Sequence, residues 1–161
     1  LLYVDKKTGL PNREKLNIYI GEMAGKVLPE AFTCFTLSLD NLSELTKRFG
    51  YTVGDGVLKD FAGLVQLMGD TEGMRGYNGV GRFVVFFVVC SSKKAAAMIR
   101  ILDNQVEEYN SLNPEYPIRY TAAWATTEET DTYEIRELLR LSQKKWKQME
   151  KEKKDKTEEE T

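Results

Sequence analysis

Gly73–Cys90, GMRGYNGVGRFVVFFVVC, is the stretch whose reading decides the fold. Its second half, Arg82–Cys90, is an apolar run rich in Val and Phe, which predicts a strand buried on both faces. Asn78, Gly79, Val80 and Gly81 precede it, with glycines spaced for a tight turn between two strands. Met74–Tyr77 is then the short partner strand of a hairpin. A hairpin tip that follows a buried strand holds side chains at fixed positions. Gly81 and Arg82, at that tip, are the first candidate site residues.

The chain has 161 residues, enough for one domain with a proper core. Its apolar fraction of 42% and charged fraction of 30% are those of a globular domain rather than a disordered or membrane-embedded one. A formal net charge of −2 supplies no overall basic field, which argues against nucleic acid or an anionic membrane as a partner. No apolar run approaches the roughly 18 residues of a membrane span, so neither a span nor a signal peptide is expected within these residues. The first residues are Leu1, Leu2 and Tyr3 without an initiator Met, so a segment of a longer protein is expected. Cys34 and Cys90 lie in or at the end of apolar strands and read as buried thiols, which fits a reducing, cytoplasmic setting. Histidine is absent, which excludes His-based triads and proton shuttles.

Taken in order, Thr8-Gly9 is a turn, and Pro11 opens a helix with Leu16, Ile20 and Met23 on one face. Phe32–Leu39 alternates as a strand. Asp40 is placed to cap a short helix ending near Gly50, and a second helix begins near Thr52. After the hairpin, Ser91-Ser92 caps a helix reaching about Tyr109 with Met98, Ile101, Leu102, Val106 and Tyr109 as its buried stripe. Ile118–Ala125 is another strand. A last helix from near Tyr133 carries Ile135, Leu138, Leu139, Ser142, Trp146 and Met149 along one face. From Glu150 onward the sequence is almost wholly charged and is read as a frayed end or unstructured linker. The pattern predicts an α/β or α+β sandwich, a sheet with helices on its faces.

Three stretches together resemble the GGDEF family of diguanylate cyclase domains, which make cyclic di-GMP from two GTP. DKKTGLPNR at Asp5–Arg13 is similar to the family's D-x-L-T-G-L-x-N-R. SLDNLSELTKRFGYTVGD at Ser38–Asp55 is similar to D-I-D-x-F-K-x-I-N-D-x-x-G-H-x-x-G-D, and GVGRF at Gly79–Phe83 stands in the place of GGDEF. ELLRLSQKKWKQMEK looks like the family's closing helix, E-L-L-x-x-A-D-x-A-L-Y-x-A-K. The resemblance covers about residues 5–150. It implies a nucleotide-cyclase-like fold with a central, mainly antiparallel sheet and helices on both faces. The expected division is a degenerate GGDEF domain at 1–149 and a charged tail or linker at 150–161.

The same resemblance locates the chemistry. The family's two Mg²⁺-binding carboxylates fall on Ser38 and Arg82. A hard divalent ion requires anionic oxygen, and Arg cannot shed its proton to relieve repulsion. Like charges about 4 Å apart repel by roughly 4 kcal/mol at an effective dielectric of ~20. The Mg²⁺ site is therefore expected to be lost, with no cofactor and no catalytic residue among the degenerate positions Ser38, Gly81 and Arg82. The phosphate-binding Lys falls on Ser43, the guanine-reading Asn on Thr46 and the closing Lys on Glu150. Asp55, which in the family contacts guanine, is retained. The family's R-x-x-D product site falls on Asp70–Gly73, DTEG, and loses both ends. Asp40 is read as a helix cap rather than a residual metal ligand, and Asp55 as a first-turn acid. Arg82 has three readings: pairing with Asp40 or Glu44, snorkelling to solvent, or binding phosphate directly. Lys144, Lys145 and Lys147 are read as a solvated helix face, with Trp146 as the helix anchor.

Two functions follow from the resemblance. One is a catalytically inactive regulatory domain of a bacterial cyclic di-GMP signalling protein, acting by dimerisation or on an attached output domain such as an EAL phosphodiesterase. The other is a metal-independent sensor of GTP or another nucleotide, with Asp55, Thr46, Ser43 and Arg82 as the nucleotide-binding set. A weak diguanylate cyclase is a further alternative. The partners implied are other domains of the same polypeptide, a second copy or a nucleotide. The segment itself makes no membrane contact, although the resemblance admits a membrane-anchored protein.

Overall fold

Two antiparallel strands, β2 (Gly73–Gly79) and β3 (Arg82–Phe87), form the hairpin, joined by Val80 and Gly81. Both turn residues have positive φ, 54° and 73°, the backbone pattern whose twist matches paired strands. Gly79 is also left-handed, at φ 82°, where the pairing register shifts between Tyr77 and Gly79. Val80 is the anomaly, because a β-branched residue is strained in this region. Its side chain is 86% exposed, so no packing offsets the strain. Val80→Gly is expected to stabilise the protein by about 1 kcal/mol, relief of strain outweighing added chain entropy. Urea titration with an unchanged m-value is the check; a destabilised variant would show that the turn is unstrained.

The computed structural model describes residues 2–69 and 72–160. In chain order the elements are α1 (Arg13–Met23), β1 (Thr33–Leu39), α2 (Leu42–Phe49), α3 (Tyr51–Gln66), the hairpin, α4 (Ser92–Leu112), β4 (Tyr120–Thr126), α5 (Thr127–Thr130) and α6 (Ile135–Glu160). The strands form an antiparallel sheet in the order β2-β3-β1-β4. Strand alternation divides the core in two. Phe35, Leu37, Phe83, Val85 and Phe87 face α3 and α4, where Phe61 stacks edge-on against Phe83 at 5.3 Å. Cys34, Val84 and Phe86 face α1 and α6. Helices on both faces explain why β3 carries hardly any polar residue. The mixed α/β class and the antiparallel sheet agree with the sequence reading. Cys34 and Cys90 are free and buried, and burial pushes the Cys34 thiol up to about 12. Among the described residues, no helix is long and apolar enough to cross a membrane.

At β2, α1 sits so close that a Cβ built on Gly76 would lie 2.3 Å from Cγ of Leu16, itself buried. Gly76→Val is therefore expected to push α1 off the strand and cost about 2 kcal/mol, measurable as a lower denaturation midpoint.

Several local expectations give way. The buried run stops at Phe87, since Val88 and Val89 are 40% and 66% exposed in the bend before Cys90. Ile101 is 58% exposed and leaves the buried stripe of α4. The first helix begins at Arg13, capped by Asn12, whose side chain accepts from the Lys15 N–H at 3.0 Å. The stretch after Glu150, expected to be unstructured, is helical to Glu160. Its Lys and Glu are straight-chain helix formers, and pairs such as Glu150–Lys154, at 3.5 Å, fall one turn apart. Asp40 is not a cap. Asn41 holds the N-cap position of α2, and its side chain instead bridges Pro117 O and Arg119 N.

Candidate functional site

The register of β1 brings the site together. Ser38 lies opposite Arg82 on β3 and opposite Thr121 on β4, so one residue near the end of a central strand has a polar neighbour on each side. Side chains directly opposite in a ladder leave the same face of the sheet. That face is covered by α6, which drops Trp146 onto Ser38.

The result is a continuous polar chain. Trp146 Nε1 donates to Ser38 Oγ at 2.7 Å, and Ser38 Oγ donates to Asp40 Oδ1 at 2.6 Å. Thr121 Oγ1 donates to Asp40 Oδ2 at 2.5 Å. Lys153 Nζ donates to Thr121 Oγ1 and to the Tyr120 carbonyl, both at 2.8 Å, and lies 4.0 Å from Asp40 Oδ2. Above it, the Arg82 guanidinium sits over the Trp146 ring, 4.7 Å from its centroid. Of the three readings of Arg82, the ion pair gives way: its side chain is exposed and rests on an aromatic face, and among the described residues it forms no ion pair with Asp40 or Glu44. A further pair, Thr36 Oγ1 and Ser142 Oγ at 2.6 Å, lies buried nearby between β1 and α6.

A groove of about 470 Å³ opens beside this network, lined in part by Ser38, Ser43, Thr46, Lys47, Arg82 and Glu150. Four of the sequence-predicted positions, Ser38, Ser43, Thr46 and Arg82, are therefore brought together. Thr46 is fixed by α3, where a Cβ on Gly54 would lie 2.3 Å from its Oγ1. Asp55 is not in the groove lining. It lies in the second turn of α3 rather than the first, 3.4 Å from Lys7 Nζ. Gly81 serves the backbone: its N–H donates to Tyr77 Oη at 2.9 Å and its carbonyl accepts from Leu39 N at 2.7 Å. Of the DTEG stretch, Asp70 and Thr71 lie outside the described residues. Lys144, Lys145 and Lys147 are exposed, and Trp146 is buried, as read from sequence.

Thr121 and Lys153 were missed. Thr121 could be found only from the β1–β4 register. Lys153 follows Trp146 by seven residues, two helical turns on the same face.

A Mg²⁺ ion does not fit this donor set. The Ser38 oxygen is engaged as acceptor and donor, both Asp40 oxygens receive hydroxyl protons, and Arg82 brings a positive charge to the rim. Among the described residues, no group of three or more His, Cys, Asp or Glu side chains is arranged to hold a metal.

No curated protein matches this chain by sequence. Solved structures do resemble it. A sensory box/GGDEF family protein from Caulobacter crescentus superposes with a TM-score of 0.69 at 18% identity, covering 93% of this chain and 99% of that one. A diguanylate cyclase/phosphodiesterase from Caldicellulosiruptor saccharolyticus gives 0.68 at 18% identity, covering 92% and 88%. The S helix-GGDEF-EAL portion of LapD from Vibrio cholerae, bound to c-di-GMP, gives 0.64 at 13% identity, covering 78% of this chain and 29% of that longer one. At these identities the likeness shows the fold. A family model described as diguanylate cyclase, GGDEF domain, matches residues 2–156, nearly the whole chain, and this protein therefore belongs to the GGDEF domain family.

Proposed function

We propose that this GGDEF domain makes no cyclic di-GMP and acts as a regulatory module within a cyclic di-GMP signalling protein. The observation that carries the reading is the closed chain Trp146–Ser38–Asp40–Thr121–Lys153, with Arg82 stacked above it. It occupies the positions at which the resemblance would put two metal-binding carboxylates. Glu150, where the resemblance would put the closing Lys, lines the adjoining groove and repels a triphosphate. The regulated partner is another domain of the same polypeptide or a second copy. The LapD structure, in which a GGDEF domain accompanies an EAL domain, supports the first arrangement. Incubation with GTP and Mg²⁺, followed by chromatography, tests the reading. No cyclic di-GMP above background is expected; product that disappears in Asp55→Ala would overturn it.

A second reading, nucleotide binding without turnover, is favoured by one observation. The groove of about 470 Å³ has the volume of a small-ligand site, and Lys47 and Arg82 line it. Calorimetry with GTP in the presence and absence of Mg²⁺ decides. Saturable, metal-independent heat supports this reading, and no heat at millimolar GTP ends it.

A further inference from the structure

A second groove, of about 440 Å³, lies on the other side of Arg82, between the start of β3 and α6. Arg82, Arg140, Lys144 and Lys147 line it together with the amides of Asn78 and Gln143. On α6 these positions follow the i, i+3, i+4, i+7 spacing of one helical stripe, so they converge on the hairpin instead of spreading around the helix. No carboxylate lines the groove. Arg140 is held by Glu137, with guanidinium–carboxylate distances of 2.6 and 2.9 Å. Arg82, Lys144 and Lys147 have no carboxylate partner among the described residues.

The rest of α6 is a useful contrast. Further along the helix, Lys153 and Lys154 each face an acid, Asp40 and Glu150. The chain as a whole carries a formal charge of −2, so this concentration of positive charge is local. A concave surface lined by one sign of charge focuses field and draws counter-ions. Arg82 is also pre-oriented: the Trp146 ring beneath it restricts its guanidinium, which reduces the ordering needed to bind an anion.

We infer that this groove binds a small ligand bearing two or more phosphates. Several converging cations call for a multiply charged anion. A planar guanidinium beside flexible ammonium groups suits phosphate oxygens. The volume fits a ligand of nucleotide size. The Asn78 and Gln143 amides supply neutral hydrogen-bonding groups to orient whatever carries the phosphates. Arg82 and Trp146 border both this groove and the one beside Asp40, and the inference does not depend on whether the domain turns over GTP.

The test is a titration of the isotopically labelled chain, in chelator and without metal, with inorganic pyrophosphate and separately with ATP. Saturable chemical-shift changes are expected at residues 78–84 and 140–147. Lys144→Gln with Lys147→Gln should weaken binding at least 10-fold without changing Tm, since both side chains are exposed. Lys151→Gln with Lys156→Gln, an equal charge change outside the groove, should leave affinity unaltered. Equal binding of both probes identifies a polyphosphate site and tighter binding of ATP a nucleotide site, and either supports the inference. Absence of saturation overturns it, as does equal weakening by the two double variants, or shifts confined to residues 43–51 in the neighbouring groove.

Discussion

Trp146→Ala is expected to lose about 3–5 kcal/mol of stability, the range for removing a large aromatic from a core. Three losses combine at this residue. Its ring is only 6% exposed, so truncation opens a cavity between α6 and the sheet. Ser38 loses the N–H that it accepts, and Arg82 loses the face on which it rests. For a chain of this size the drop in Tm should be on the order of 10 °C. Trp146→Phe separates the contributions, since it keeps most of the ring and removes the donor; its cost should be about 1 kcal/mol. Thermal denaturation of both variants provides the comparison. Equal, small effects would mean that α6 is peripheral to the fold.

Ser38→Asp should cost about 3 kcal/mol at neutral pH. Ser38 Oγ is 2.6 Å from Asp40 Oδ1, so the new carboxylate would meet an existing one at close range. Repulsion of roughly 4 kcal/mol at about 4 Å, for an effective dielectric of ~20, is reduced by solvent around Asp40 and by the Trp146 N–H, which can serve the new oxygen. The sign of the pH dependence follows. A carboxylate pair in the folded state keeps a proton to higher pH than free carboxylates do, so the native state binds more protons than the unfolded one. The deficit therefore grows as pH rises above about 4 and disappears below it. Arg82→Glu on the same background adds a third acid on the same face of the sheet. Millimolar Mg²⁺ should then raise the Tm of the double variant, but not that of Ser38→Asp alone or of the native protein. A pH-independent deficit would refute the close approach of the two carboxylates.

Most of the element order was legible because binary patterns and turn residues are local signals. β1, the hairpin, α4 and its Ser91 cap fall where alternation, glycines and hydroxyls put them. What was illegible depended on competition between neighbours. Asp40 and Asn41 are both good cap residues, but Asn41 alone can bridge the backbone at Pro117 and Arg119, leaving Asp40 for the hydroxyls of Ser38 and Thr121. Val88 and Val89 extend an apolar run that the partner strand does not follow. The helical continuation to Glu160 was hidden because a charge run reads alike in a linker and in an exposed helix. At the site, the substitutions at Ser38 and Arg82 were plain from the motif. Their consequence was not: an arginine near two acids is expected to pair with one of them, and nothing in the sequence signals that Trp146 would take it instead.

The two hydroxyl contacts of α6 have a mechanical meaning. Thr36 and Ser38 are two residues apart on a strand, a spacing of about 6.6 Å, while Ser142 and Trp146 are four apart on a helix, about 6.0 Å. Helix and strand run in the same direction with nearly matched pitch, so both bonds form at once, like two teeth of a rack engaging together. A slide by one residue would disengage both and leave buried polar groups without partners. α6 must then move with the sheet as one body or jump by a whole step. Any displacement it transmits is a discrete switch, not a graded slide.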